Sequence, residues 1–340
     1  MRPLQLNGHT RPITQVLVNS TGTLLFTAGK DGNLGVWDMQ DGNLLGYYKP
    51  LIDGKEISKV IWSIDVTLDS LLLIAASAEG VFIFDVGTKE QIFYLCLKSV
   101  CRCVQWNTKP AHQNKFVVVR DAFSKVVTAA ITIYKLNLET RSVTATLEII
   151  NFESKCLGAA WGAYDVTIVS RHENGMIIVW DSETGAKIME RQAHTENVSW
   201  MEFSADRSLC LTCSTDATAK LWTTHDWNEV QSFATDRPLN SCSISPLYSQ
   251  DESTRRLHVL LAGGQQASEV TTTKIQEGKQ EILLVHMVSA ELLGLIPGHF
   301  SPVNSVTFLP DGKGFVTGAE EGFVRIYHWD ASYFDTSKLS

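Results

Sequence analysis

Three sets of residues in this chain combine a histidine, a hydroxyl and a carboxylate, the residue types of a nucleophile triad. They are His9, Thr27 and Asp31 with Trp37; His194, Thr212 and Asp216 with Trp222; and a weakened third, His299, Thr317 and Glu321 with Tyr327. In each set the acid stands four residues after the threonine, and the aromatic residue six after the acid. In catalysis the imidazole would take the hydroxyl proton while the carboxylate held the imidazole in place. In a structural tetrad a buried imidazole would bridge acid and hydroxyl, and the indole N–H would meet the same hydroxyl. Every buried polar group would then be satisfied. Recurrence favours the structural tetrad, because an active site is normally unique and the indole engages the oxygen that would attack.

Other candidate chemistry is sparse. Cys210 and Cys213 have the spacing of half a zinc site, but no second half follows. Within Ser208–Ser214 they read as buried strand residues, since a free cysteine behaves as a small hydrophobe. The phosphate-binding, dinucleotide, serine-hydrolase and zinc-protease motifs do not occur. His172-Glu173 comes nearest to the last, with Met176 where the second histidine would stand. Glu320-Glu321 fits a hairpin turn and Asp251-Glu252 a solvated loop. No catalytic residue, metal or cofactor is expected, and a non-enzymatic role follows.

The formal charge of −8 argues against broad phosphate binding, so little direct nucleic-acid contact is expected. The most apolar stretch, Leu71–Ala78, is far short of the roughly 20 residues of a membrane span, and the first residues lack an apolar leader. With an odd count of seven cysteines, a reducing, cytoplasmic setting without membrane contact is expected. Asn19-Ser-Thr21 and Asn197-Val-Ser199 match the glycosylation pattern, which has no use in that setting.

The elements that must hold these residues announce themselves by a phrase that recurs seven times: an apolar strand, an aromatic or apolar residue, a polar one, then a turn. It reads Val36-Trp37-Asp38, Ile83-Phe84-Asp85, Ile133-Tyr134-Lys135, Val179-Trp180-Asp181, Leu221-Trp222-Thr223, Leu284-Val285-His286 and Ile326-Tyr327-His328. The intervals are 47, 50, 46, 42, 63 and 42 residues. A period of about 40–50 residues, opened by Gly-His and closed by Trp-Asp, is that of a WD-repeat β-propeller blade. An all-β, seven-bladed propeller is therefore predicted as one domain over 1–334, with a tail over 335–340. The blades fall near 7–48, 49–95, 96–149, 150–192, 193–234, 235–297 and 298–330. The last blade offers only three strands, so the segment 1–6 is expected to supply its fourth and close the ring.

Blades one, five and seven are regular, and the others have drifted. Blade two has Asp53-Gly-Lys55 where Gly-His is expected, and blade three carries extra residues near Pro110–Asn114 and Ala122–Val126. Blade four keeps Asn174-Gly175 and Trp180-Asp181 without a histidine at its start. Blade six holds polar inserts at Ser249–Arg256 and Gln265–Gln280, which read as surface loops.

Several stretches go beyond generic propeller grammar. Met1–His9 followed by Arg11-Pro-Ile-Thr-Gln15 resembles the start of subunit i of eukaryotic translation initiation factor 3. Thr235–Ser241, Gly263-Gly-Gln-Gln-Ala-Ser-Glu-Val-Thr-Thr-Thr273 with Glu277-Gly-Lys279, Gly298–Val306, Gly322–Ile326 and Ser332-Tyr-Phe334 are similar to that family as well. The likeness covers both ends and most of blades five to seven, while blades two and three match poorly, as in a divergent member. It implies a non-enzymatic subunit whose propeller clasps a C-terminal helical segment of subunit b and a segment of subunit g. It also implies support for the small-ribosomal-subunit pre-initiation complex and mRNA recruitment. The family's contact surface involves blades five and six, which points to Asp206, Asp226 and Trp227 as partner-binding residues. Thr223 departs from the family's aspartate, so one salt bridge would be missing or replaced. Another WD-repeat adaptor, receptor-associated or G-protein-β-like, is the alternative that the blade-six signature disfavours.

Overall fold

The computed structural model describes residues 2–109, 114–123, 127–150, 152–250, 255–264 and 279–334. These form seven four-stranded sheets, the blades of a seven-bladed WD-repeat β-propeller. Blades one to six each use four consecutive strands, beginning at Ile13–Val18, Ile61–Val66, Cys101–Trp106, Cys156–Trp161, Val198–Phe203 and Leu239–Ile244. Blade seven joins Val303–Phe308, Gly314–Ala319 and Phe323–His328 to the N-terminal strand Leu4–Asn7. Asp53-Gly54-Lys55, in place of blade two's Gly-His, turns a small extra hairpin between Leu51–Ile52 and Lys55–Glu56. The blade-six signature Val270–Thr273, the core of blade three's first insert and the tail over 335–340 lie outside the described residues.

By compactness the chain divides into two units. One comprises Met1–Leu25, Asp38–Leu44 and Trp200–Ser340; the other comprises Phe26–Trp37 and Leu45–Ser199. In both, the second strand of a blade is apolar at nearly every position, as in Leu72–Ser77 and His258–Gly263, because it is covered on both faces. Fourth strands such as Lys187–Gln192 alternate toward solvent and carry the charge. Apolar clusters sit between successive sheets. In the first unit Leu211, Phe233, Leu239, Cys242 and Leu261 join blades five and six. In the second, Ile74, Ile83, Val104, Trp106 and Phe116 join blades two and three. Cys210 and Cys213 are buried within blade five's second strand.

Among the described residues adjacent blades share no sheet pairing, so first strands leave backbone N–H groups for side chains of the neighbouring blade. Side chains of the preceding blade accept them. In the second unit Val104 N donates to Ser63 Oγ at 3.4 Å, Trp106 N to Asp65 Oδ2 at 2.7 Å, and Trp161 N to Gln105 Oε1 at 2.9 Å. In the first unit Ile244 N donates to Glu202 Oε1 at 3.0 Å, Val306 N to Ser241 Oγ and Phe308 N to Ser243 Oγ at 3.1 Å, and Val16 N to Ser305 Oγ at 3.1 Å. The acceptors occupy alternate positions of the first strand, so the period-2 geometry aims them at one neighbour. These bonds satisfy buried donors that no sheet ladder reaches.

Glu202 is the ionisable member with the largest consequence for pH. Desolvation pushes its carboxyl up to about 7, although the Ile244 N–H and the Ser243 hydroxyl at 2.8 Å favour the charged form. The folded pKa lies above the ordinary 4.5, so the stability contributed by protonated Glu202 is full below about pH 4.5 and is lost as pH rises through 7. Glu202→Gln cannot ionise. Its stability relative to wild type is expected to rise by on the order of 2–3 kcal/mol between pH 4.5 and 8, read from chemical denaturation. A difference that stays flat across that window contradicts the assignment.

Candidate functional site

In blade seven the whole histidine set falls in one compact unit. His299 Nδ1 lies 2.8 Å from Glu321 Oε1, and its Nε2 lies 2.7 Å from Thr317 Oγ1. Glu321 also accepts Phe300 N–H at 3.0 Å and Arg325 Nη1 at 3.2 Å. Burial lowers the imidazole pKa to about 4, against the opposing pull of Glu321. The imidazole is therefore neutral, with Nδ1–H donated to the carboxylate and Nε2 accepting the threonine hydroxyl. These are the distances of a nucleophile, base and orienting acid, but Thr317 has 0% exposure, so the hydroxyl is closed to a substrate carbonyl. Tyr327 stands where the other sets have tryptophan: its hydroxyl meets Thr317 and also lies 3.5 Å from Pro297 O, a marginal bond.

In blade one Trp37 Nε1 donates to Thr27 Oγ1 at 2.9 Å, and in blade five Trp222 Nε1 donates to Thr212 Oγ1 at 2.9 Å. His9 and His194 are buried. Asp31 and Asp216 also close their hairpins, accepting Asn33 N–H at 3.0 Å and Thr218 N–H at 2.9 Å.

Blade four contains a version that sequence reading missed. Trp180 Nε1 donates to Ser170 Oγ at 2.8 Å, and Ser170 Oγ lies 2.8 Å from His172 Nε2. The histidine absent from the start of the blade is replaced by one two residues beyond the serine. The other ring nitrogen of His172 faces Ser154 O at 3.3 Å. The ten-residue interval from Ser170 to Trp180, shared with Thr27 to Trp37, was the available signal.

The proposed partner residues lie around two turns of blade five. Asp206 is exposed, yet its Oδ1 accepts the Ser204 hydroxyl at 2.7 Å, Ser208 N–H at 3.0 Å, the Ser208 hydroxyl at 2.9 Å and the Tyr248 hydroxyl. Desolvation opposes its charge, but these donors outweigh it and hold the carboxyl at about 2. A fixed, fully ionised carboxylate therefore projects beside blade six's Tyr248. Arg207 stands next to it in the left-handed region (φ 61°), its guanidinium 5.1 Å above the Phe203 ring.

Thr223 and Asp226 explain the departure noted above. In blades two and four an aspartate ends the third strand and accepts the hydroxyl of a threonine three residues on: Thr88 to Asp85 at 3.0 Å, Thr184 to Asp181 at 2.8 Å. In blade five the pair is exchanged, and the Thr223 hydroxyl donates to Asp226 Oδ1. The turn keeps its bond, and the negative charge moves three residues along. The bond from Thr223 lowers the Asp226 pKa, and the carboxylate is exposed. Trp227 is 6% exposed and lies edge-on to Phe203 at 6.3 Å. Asp206 and Asp226 are both exposed. Asn19, in the first glycosylation pattern, is 2% exposed and spends its amide on Thr21, Thr23 and Leu24.

Among the described residues no helix is long and apolar enough to cross a membrane. The family model EIF3I matches residues 1–338. A Bombyx mori protein named eukaryotic translation initiation factor 3 subunit I is 36% identical, over 98% of both chains. Proteins of the same name from Culex quinquefasciatus and Drosophila grimshawi are 33% and 34% identical, each over 98% of this chain and 99% of the relative.

Proposed function

Because this chain belongs to the family of eukaryotic translation initiation factor 3 subunit I, we propose that it is a non-catalytic, cytoplasmic scaffold of that factor. Its task is to hold a helical segment of subunit b and a segment of subunit g, and so to support assembly on the small ribosomal subunit and mRNA recruitment. The observation that supports this reading is the pair of exposed, ionised carboxylates on blade five's turns, Asp206 and Asp226. Each is fixed by hydroxyl and amide donors before any partner arrives. A preorganised anion loses little freedom on binding and favours a basic partner face. The sealed threonine and serine hydroxyls of the histidine sets fit a role in which they brace blades.

The test is charge reversal at both turns. Asp226→Lys and Asp206→Lys are each expected to weaken capture of subunit b by about tenfold or more at low salt, with a smaller loss at higher salt, where the charge is screened. Asp206→Asn and a melting curve separate lost charge from a damaged turn, because Asn still accepts the Ser208 N–H. Undiminished binding by both lysine variants would reject this surface.

A further inference from the structure

The second compact unit holds a cleft of about 360 Å³ whose lining includes Asn107, Lys109, Trp161, Tyr164, Asp181 and Glu183. It lies where the first turns of blades three and four meet. Asn107 in its wall is 3% exposed. Its Nδ2 donates to Lys109 O at 3.3 Å, while Oδ1 has no hydrogen-bond partner among the described residues. A buried acceptor left unpaired is costly, and a ligand supplying a donor relieves that cost.

The turn beside it is shaped for display. Tyr164 and Asp165 both occupy the left-handed region, at φ 57° and 56°, where neither is at ease. Asp165 holds the turn there by accepting Thr108 N–H at 3.0 Å, the Thr108 hydroxyl at 2.6 Å and Lys109 N–H at 2.7 Å. The outcome is a tyrosine ring 76% exposed at the mouth of the cleft. A cation already sits over that ring, the Lys109 ammonium 5.8 Å from its centre. Three carboxylates, Asp165, Asp181 and Glu183, line the cleft against two lysines, Lys109 and Lys115, within a chain of net charge −8.

We propose that this cleft docks an arginine side chain of a partner polypeptide. A guanidinium is flat enough to lie on the Tyr164 ring. It carries five donors for Asn107 Oδ1 and the Glu183 carboxylate, and it is less strongly hydrated than an ammonium. The excess of carboxylates disfavours an acidic segment. The site is independent of the reading that assigns subunits b and g to blade five.

The full-length protein alone, titrated with the blocked peptide Gly-Ser-Arg-Ser-Gly and observed by saturation-transfer NMR, tests this. The arginine peptide is expected to bind at least about fivefold more tightly than its citrulline counterpart, and more tightly than its aspartate counterpart. Tyr164→Gly and Glu183→Gln are each expected to weaken it about threefold or more. Glycine suits the left-handed turn, so Tyr164→Gly should lose binding without a lower melting temperature. Equal binding of arginine and citrulline peptides, or variants that bind as wild type, overturns the proposal. So does an oligouridylate that binds in a manner sensitive to Tyr164→Gly but not to Glu183→Gln, which would assign the cleft to RNA. None of these outcomes bears on capture of subunit b, so the two readings fail separately.

Discussion

A chain lacking residues 1–6 is expected to melt far below the full-length protein, with a loss of about 4–6 kcal/mol. The strand Leu4–Asn7 pairs antiparallel with Phe323–His328, placing Leu4 opposite Ile326, Gln5 opposite Arg325, Leu6 opposite Val324 and Asn7 opposite Phe323. Leu6 is 3% exposed, and burial of one such side chain is worth roughly 1.5–3 kcal/mol. Gln5 Oε1 accepts Arg325 Nη2 at 3.1 Å, and the ladder adds backbone bonds of about 1 kcal/mol each. Leu4 and Leu6 also cover the turn at Gly42, whose added Cβ would come within 2.6 Å of Leu4. Deletion removes all of this at once and bares an edge strand, which invites aggregation. Leu6→Asp, which keeps the chain length, should reproduce much of the loss. Unchanged melting of both variants by circular dichroism contradicts the role given to this strand.

The second large effect is expected at His299. Replacement by alanine removes the donor to Glu321 and the acceptor for Thr317, leaving a carboxylate with 14% side-chain exposure and a fully buried hydroxyl short of partners. The expected cost is about 2–4 kcal/mol. The pH dependence distinguishes the bond from mere volume. The folded imidazole titrates near 4, below the ordinary 6.5, so its contribution is complete above about pH 6.5 and is lost as pH falls toward 4. His258, held down to about 4 mainly by burial, adds a slope of the same sign. Glu202 opposes both. In His299→Ala the acid-side loss should shrink in denaturant titrations at pH 4.5, 5.5 and 7. A variant with the wild-type slope would show that His299 is not the buried neutral group described here.

The repeat was legible because a blade is a local object. Strand, turn and aromatic anchor recur at short range, so Val36-Trp37-Asp38 and its relatives reveal themselves without any knowledge of tertiary contact. The pairing of Leu4–Asn7 with the last blade was legible for a different reason: blade seven is one strand short. What stayed hidden depends on which neighbour a side chain meets. Ser241, Ser243 and Ser305 look like ordinary strand serines until an adjacent blade presents N–H groups to them. His172 looked like a failed zinc motif, yet it supplies the imidazole missing from the start of blade four. Trp227, named through the family resemblance, combines a left-handed backbone (φ 54°) with an edge-on contact to Phe203, a placement its own residue type does not announce. Thr223 looked like a lost charge, and only the exchanged hydrogen bond shows that Asp226 carries it.

Membership of the subunit I family leaves one claim central, that this propeller works as a scaffold inside initiation factor 3. Affinity purification of the full-length protein from native cytosolic extract, with subunit stoichiometry read by mass spectrometry, tests it most directly. Subunits b and g and the rest of the factor are expected to be recovered in near-equal amounts with this chain. Asp206→Lys with Asp226→Lys is expected to strip them away while the propeller stays folded. Recovery of the chain alone, or with a different set of partners, would contradict it.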